Sequence, residues 1–184
     1  MKLTLVLGNQ LFDTKYFKDL PRNVFMAEDF ELCTHFKYHK HKIIHFLASM
    51  RIFSQELKSQ GFNISYYDLL DKRSYSEKLE RFICDNEVKE IHLFEVEDKF
   101  FEKYLAVLLR ALNIKVLVHR TPMFICQRNE FKNFISRYKK PLLNNFYIEM
   151  RKKHNILMEN QKPIGGEWNS VSYTHLTLPT MYSV

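Results

Sequence analysis

Two short polar loops carry the residues that are best placed for chemistry in this sequence. Gly8-Asn9-Gln10 follows one apolar run, and Glu28 follows another. Gly8 lets the backbone approach a ligand closely, and the amides of Asn9 and Gln10 offer donors and acceptors to a heteroaromatic ring or a ribityl chain. Glu28 adds an acceptor for ligand N–H or O–H groups. The residues alone equally allow a plain turn that closes a strand.

The densest cluster of unusual side chains is His35-Phe36-Lys37-Tyr38-His39-Lys40-His41-Lys42, at the expected start of a helix. A phosphate, a ribityl chain or a nucleic-acid backbone would suit it, and so would a solvated cationic loop. His41 and His45 are four residues apart, but the residues between them lack the glutamate of a metalloprotease helix, so we expect no metal site. Phe46 continues an apolar stripe at helical spacing, which is typical of a core face.

A second basic segment lies near the other end of the chain. Arg137-Tyr138-Lys139-Lys140 and Arg151-Lys152-Lys153 flank the aromatic pair Phe146-Tyr147. Such interleaving suits nucleic acid, and it equally suits an amphipathic helix whose lysines extend into solvent. The net charge of +7 favours encounter with polyanions without identifying one.

Several common functions lack their motifs here. The sequence contains no G-x-G-x-x-G, no G-x-x-x-x-G-K-[ST] and no G-x-S-x-G, which disfavours a dehydrogenase, a P-loop NTPase and an α/β-hydrolase. Cys33, Cys84 and Cys126 are widely spaced, so we interpret them as reduced, mostly buried thiols rather than metal ligands. No apolar run reaches the roughly 18 residues of a membrane span, and none resembles a signal peptide. We therefore expect a cytoplasmic protein without a membrane partner.

Strand-like and helix-like segments alternate along the first two thirds of the chain. The predicted strands are Leu3–Leu7, Asn23–Ala27, Phe62–Tyr67, Ile91–Val96 and Ile114–Val118, and the predicted helices between them are His39–Gln60, Ser76–Asp85 and Phe100–Leu112. This alternation predicts an α/β, Rossmann-like open parallel sheet of about five strands with helices on both faces. Ligands bind such sheets at the carboxyl ends of the strands, where the loops holding Gly8 and Glu28 would lie. After Pro122 the pattern predicts two basic helices, Glu130–Tyr138 and Asn144–Met158.

The last residues differ in composition from the rest. Residues 170–184 contain no charged side chain, although 27% of the chain is charged, and they resemble translated sequencing adapter. We therefore expect an α/β domain over 1–160, the start of a linker over 161–169 and a non-native tail over 170–184. On this interpretation the natural protein continues past Asn169 with a different sequence.

Five blocks in order resemble one known family. They are Leu7–Leu11, Phe25–Asp29, Tyr38–Lys42, Asn145–Lys153 and Gly165–Asn169. Together they resemble the bacterial photolyase/cryptochrome-related proteins that carry an iron–sulfur cluster, and the resemblance covers residues 1–169. Members of that family are two-domain flavoproteins, and their photolyase members repair UV-damaged DNA.

The resemblance implies that this chain is the N-terminal antenna domain. It would bind a lumazine, 6,7-dimethyl-8-ribityllumazine, while FAD and a four-cysteine 4Fe-4S cluster would belong to a following helical domain. The residues that fall on or beside the antenna pocket by resemblance are Gly8, Asn9, Gln10, Glu28, His39 and Lys42, with Phe46 as a ring-facing wall. Many relatives have an aspartate where this chain has Asn9, which leaves the identity of the pigment open.

The function implied by the resemblance is light harvesting for a deoxyribodipyrimidine photolyase or cryptochrome. Damaged DNA and the FAD domain of the same polypeptide would be the partners, and a monomer is expected. Because the cofactor supplies the chemistry, a fragment without the FAD domain would be catalytically silent. Two alternatives stay open: a light-independent nucleotide- or nucleic-acid-binding module, and a blue-light signalling cryptochrome.

Overall fold

The computed structural model describes residues 1–168 of the chain, which form two compact units. The first unit is Met1–Phe124 and the second begins at Ile125. The expected tail, 170–184, and the last expected linker residue, Asn169, lie outside the described residues. The expected domain end at residue 160 and the linker that follows it stay predictions.

The first unit is built on a five-stranded parallel sheet, which confirms the predicted Rossmann-like α/β class. Its strands are β1 (Lys2–Leu5), β2 (Asn23–Ala27), β3 (Asn63–Tyr67), β4 (Glu90–Phe94) and β5 (Lys115–His119), in the order β3-β2-β1-β4-β5. In register, Leu5 lies beside Phe25, and Leu3 lies beside Ile91. From β1 the chain therefore adds β2 and β3 on one side of the sheet. It then returns to the other side of β1, where it adds β4 and β5.

Four α-helices and a 3-10 turn accompany the sheet in this unit. They are the 3-10 turn Thr14–Phe17 and the helices α1 (Phe30–Thr34), α2 (Lys40–Ser59), α3 (Tyr75–Asp85) and α4 (Lys99–Ala111). The 3-10 turn and α1 have no counterpart among the expected elements, because both are too short to show a periodicity. Gly61, directly after the C-cap of α2, has a φ of 83°, the left-handed conformation that ends helices.

Successive strand residues point to opposite faces of the sheet and pack into two separate hydrophobic cores, one on each face. Leu3 and Leu5 pack with Leu79 of α3 and Leu105 of α4 on one face. On the other face Val6 and its neighbours pack with α2, in a core that includes Val24, Met26, Met50, Phe53 and Leu57. Both faces of a parallel sheet must be covered to bury its apolar strands. Helices on both faces are thus confirmed.

The strands β1 and β4 end earlier than the sequence pattern predicts. β1 stops at Leu5 and β4 at Phe94, although the apolar runs continue to Leu7 and Val96. The backbone turns after β1, where the N–H of Gln10 donates to the carbonyl of Leu7 at 2.9 Å. These apolar residues therefore lie in the exit loops, where they contribute walls to a cavity.

The second unit contains two helices and a small hairpin: α5 (Arg128–Ser136), α6 (Leu143–His154), β6 (Met158–Glu159) and β7 (Lys162–Pro163). The prediction of a helix up to Met158 is wrong at its end. Asn155 caps α6 in a left-handed conformation with φ 52°, after which the chain turns into the hairpin. Asparagine tolerates this conformation better than most residues, so it stops the helix although the sequence stays amphipathic.

Two further expectations concern the thiols and the membrane. The three cysteines are free, but Cys84 is exposed and Cys33 and Cys126 are half-buried, so the expectation that they are mostly buried is wrong. Cys84 follows the buried Ile83 on α3 and therefore lies on the solvent side of that helix. Within residues 1–168, no helix combines the length and the apolar composition that crossing a membrane requires.

Candidate functional site

A cavity of about 350 Å³ opens at the carboxyl ends of β1, β2 and β4. The exit loop of β1 contributes Gly8 and Asn9, that of β2 contributes Glu28 and Asp29, and Val96 follows β4. The direction of strand addition reverses between β1 and β4, and that reversal is where open α/β sheets bind ligands. The volume is within the range of small-molecule sites, about 300 to 1,000 Å³.

The cavity walls are mainly apolar and aromatic. Four rings from different elements line it: Tyr38, Phe46, Tyr75 and Phe101. Lys42 is the only basic residue among the lining side chains in the part of the chain that the structure describes. Such walls favour a flat, largely apolar molecule over a phosphate, which would need several cations or a free helix N-terminus.

Gly8 leaves room for two side chains of α2 that lie very close to the β1 exit loop. A Cβ placed on Gly8 would lie 2.6 Å from Cζ of Phe46 and 2.8 Å from Sδ of Met50. The close approach that the sequence assigned to a ligand is therefore made, at this point, by two side chains of α2. Gly8 and Phe46 form one corner of the cavity together.

The carboxylate of Glu28 is fully buried and holds α2 against the sheet. Arg51 donates to it twice, at 2.6 and 2.9 Å, and the Tyr66 hydroxyl and the Leu69 N–H donate at 2.7 and 3.0 Å. Burial by itself would raise the pKa of Glu28, but the hydrogen bonds from Arg51 and Tyr66 and the charge of Arg51 outweigh it, so the pKa lies below its usual value. Glu28 lines the cavity as an anion whose two oxygens already have partners.

Asp29, the next residue, ties the same loop to two helices. Its carboxylate accepts from the N–H of Leu32 at 3.1 Å, which caps α1, and from the N–H of Tyr75 at 2.6 Å, at the start of α3. The ammonium of the buried Lys78 donates to the backbone oxygen of Glu28 at 2.7 Å. These bonds hold the ring of Tyr75 beside the exit loop of β2.

Tyr75 is one of the cavity residues that the sequence did not predict, and Asp98 and Phe101 are others. Tyr75 is only 5% exposed, packs edge-on against Phe25 and Phe101, and its buried hydroxyl has no hydrogen-bond partner among residues 1–168. Burial raises the pKa of this hydroxyl, so it stays protonated. A buried hydroxyl without a partner costs free energy. The position of Tyr75 at the start of α3 offered no sequence signal.

The remaining expected residues divide between the cavity and its supports. Asn9 and Lys42 line the cavity, and the Lys42 ammonium lies 4.8 Å from the ring centre of Tyr38. Gln10 does not line it: its side chain is buried and Nε2 donates to the Glu95 carbonyl at 2.9 Å, which joins the exits of β1 and β4. His39 does not line it either.

His39 serves the backbone of α2 instead. Its Nδ1 accepts from the N–H of His41 at 3.2 Å, which caps the helix. No group of three His, Cys, Asp or Glu side chains within the described residues is arranged to hold a metal ion.

The second basic segment is largely engaged in contacts inside its own unit. The Arg137 guanidinium donates to Glu149 at 2.6 Å, and Lys153 pairs with Glu130. Arg151 is buried and donates to three backbone oxygens, including those of Leu157 at 2.6 Å and Trp168 at 3.2 Å. Three of the six cations in this segment, Arg137, Arg151 and Lys153, therefore bind groups of the second unit itself.

Comparison with known proteins agrees with the resemblance seen in the sequence. A family model described as deoxyribodipyrimidine photo-lyase-related protein matches residues 4–170. A (6-4) photolyase of Agrobacterium fabrum (strain C58 / ATCC 33970) is 27% identical over 175 residues, which cover 91% of this chain and 34% of that protein. An uncharacterized protein of Acanthamoeba polyphaga mimivirus is 24% identical over 189 residues, covering 96% of this chain and 95% of that protein. The chain thus spans about a third of the photolyase and nearly all of the viral protein.

Proposed function

The chain belongs to the deoxyribodipyrimidine photo-lyase-related protein family, and on that premise we propose that its first unit is a light-harvesting domain. Its cavity would hold a planar antenna pigment of the lumazine type, 6,7-dimethyl-8-ribityllumazine. The observation that carries the proposal is the aromatic cavity at the reversal point of the sheet, whose wall includes Tyr75, a residue with a buried hydroxyl that has no partner among residues 1–168.

The side chains around the cavity fit such a molecule. The rings of Phe46, Phe101 and Tyr38 supply apolar faces for a flat heteroaromatic body. Asn9 and Lys42 would supply polar groups for a ribityl chain, and Tyr75 would donate its hydroxyl to the polar edge of the ring system once the bound pigment displaces the side chains that cover it. A bound pigment of this class would absorb blue light and transfer the energy to a flavin. Glu28 and Gln10 would hold the loops in place around it.

The activity of the whole protein is a wider proposal. We infer light-driven repair of a DNA photoproduct by FAD and a 4Fe-4S cluster held in a further domain of the same polypeptide, with this chain catalytically silent by itself. The match to about a third of a (6-4) photolyase supports this. Repair and blue-light signalling use an antenna domain in the same way. The genomic sequence after Asn169 tests the proposal: several hundred codons with four clustered cysteines would support it, and an immediate stop codon would contradict it.

The antenna proposal is tested by titrating the purified chain with 6,7-dimethyl-8-ribityllumazine. We expect saturable binding at one site, seen as a rise in lumazine fluorescence polarisation. Tyr75→Phe should weaken binding about five- to tenfold, since one hydrogen bond contributes about 1 kcal/mol. The same substitution should leave stability unchanged or raise it, because it removes an unpartnered buried hydroxyl.

Tyr104→Phe is the matched control for that experiment. Tyr104 contacts the ring of Phe101 but does not line the cavity, and its side chain is exposed. We expect this variant to bind lumazine like the unaltered chain. Absence of saturable binding would reject the pigment, whereas equal weakening by the two substitutions would reject the role of Tyr75.

A further inference from the structure

A cationic–aromatic surface lies on the segment before α2 and on the first turns of that helix, at residues 35–45. Seven side chains on it are basic or imidazole groups: His35, Lys37, His39, Lys40, His41, Lys42 and His45. The segment contains no acidic residue, and the next one along the chain is Glu56. All seven side chains are exposed to solvent. The three lysines of the surface, Lys37, Lys40 and Lys42, therefore form a positive patch within a single short stretch of chain.

The lysines of this surface have no ionic partner in the part of the chain that the structure describes. Lys37, Lys40 and Lys42 make no ion pair with residues 1–168, and the Lys42 ammonium lies over the ring of Tyr38. Arg51 on the same helix contrasts with them, because its guanidinium is bound to the buried Glu28. Unpaired cations at high local density repel one another, and a polyanion would relieve that repulsion.

Exposed rings alternate with these cations. Phe36 is 62% exposed, although its ring meets those of His35 and Tyr38 edge to face, with centres 4.5 and 5.7 Å apart. The ring of Phe36 therefore keeps much of its surface open to a stacking partner. A membrane-surface helix would instead separate its apolar and basic side chains onto opposite faces.

We propose that the cationic–aromatic surface binds single-stranded nucleic acid without sequence preference. Lys37 and Lys40 would contact phosphates, and Phe36 would stack on a base. Proteins that bind single strands combine a positive track for the backbone with aromatic rings for the bases. A lone phosphate would make no use of the rings, and a duplex keeps its base faces covered. The inference does not depend on what the cavity holds.

The test measures the fluorescence anisotropy of a short fluorescein-labelled oligothymidylate, and of an oligouridylate, over a series of salt concentrations. Lys37→Glu combined with Lys40→Glu should weaken binding at least about tenfold. It should also flatten the salt slope by about 1.4, because each phosphate that is no longer neutralised accounts for about 0.7. Phe36→Ala should weaken binding about fivefold or more, since stacking contributes about 1 to 3 kcal/mol per base. Lys42 and Tyr38 are left unaltered because they also line the cavity.

The matched control is Lys139→Glu combined with Lys140→Glu, which changes the net charge equally at two exposed lysines of the second unit. We expect it to lower affinity less than threefold. The proposal fails if this control weakens binding as much as the first pair, if a duplex binds as tightly as the single strand, or if the chain binds phosphatidylserine vesicles but not the oligonucleotides. Thermal melting by circular dichroism checks that each variant is folded. Preference for one of the two oligonucleotides would distinguish DNA from RNA as the ligand.

Discussion

Two regions of this chain both interleave basic side chains with aromatic rings but have different structural roles. They are the cationic–aromatic surface at 35–45 and the second basic segment at 137–153. In the second segment Arg137 and Lys153 are paired with carboxylates and Arg151 is buried among backbone oxygens. The first surface has no carboxylate within it. Basic composition therefore does not identify a binding surface until the partner of each cation is known.

The largest expected effect concerns the buried cation of the second segment. Arg151→Ala should lower the free energy of unfolding of the second unit by about 3 kcal/mol, because three backbone oxygens lose a charged donor. Trp168, the only tryptophan in the chain, lies against Arg151, so its fluorescence during urea unfolding reports the change. Lys139→Ala removes an exposed cation of the same segment and should change the value by less than about 0.5 kcal/mol. If the two substitutions lowered the free energy of unfolding equally, the claim that the second basic segment serves mainly to stabilise its own unit would be wrong.

A cation beside the first surface should show the next largest effect. Arg51→Ala leaves the buried Glu28 carboxylate without its main partner, and we expect a loss of about 2 kcal/mol at pH 7, reduced because Arg51 is itself half exposed. Lys58→Ala, an exposed lysine on the same helix, serves as the control. Urea unfolding followed by circular dichroism measures both.

The Arg51→Ala effect should depend on pH with a definite sign. Since the pKa of Glu28 is lowered in the folded chain, its stabilisation is complete above the unfolded value of about 4.3 and is lost as the pH falls through the folded pKa. In the variant, protonation removes a buried unpaired charge and so becomes favourable. The difference between the two chains should therefore shrink below about pH 4. A difference that stays constant down to pH 3 would mean that Glu28 and Arg51 are not coupled.

The smallest expected effect comes from a substitution that frees a paired cation of the second basic segment and so makes that segment more like the cationic–aromatic surface. Glu149→Gln removes the carboxylate that Arg137 binds, which should cost less than about 0.5 kcal/mol because the pair is exposed. The freed cation should raise oligothymidylate affinity about twofold at low salt. Asn145→Asp, which adds a charge nearby, should lower that affinity. An unchanged affinity in both variants would show that the second segment does not contact the strand even when its cations are free.

Most of the fold could be predicted from the sequence. Five apolar runs separated by helical periodicities led to the parallel sheet and to helices on both faces, because burial on both sides of a sheet leaves a strong local pattern. The residues at which strands and helices end were harder to predict. β1 and β4 stop before their apolar runs end, and α6 ends at a left-handed Asn155 although its pattern continues.

Part of the candidate site could be predicted from the sequence. Gly8, Asn9, Glu28, Lys42 and Phe46 line one cavity because they follow strand ends or lie on the helix packed above them. Gln10 and His39 were expected beside them, but they hold the backbone of the exit loops and of α2. Tyr75 reaches the cavity through a bond from its N–H to Asp29, which is 46 residues away. No local pattern encodes such a contact.

The sequence by itself determined the succession of strands and helices along the chain, the polar loops at the strand ends and the two basic segments. Those features depend on residues close together in the chain, so hydrophobic period and composition reveal them. The tertiary structure alone decided which charges are neutralised and which hydroxyl has no partner. Glu28 meets Arg51 and Glu130 meets Lys153 only after the chain folds, because electrostatic and hydrogen-bond partners are chosen by distance in space.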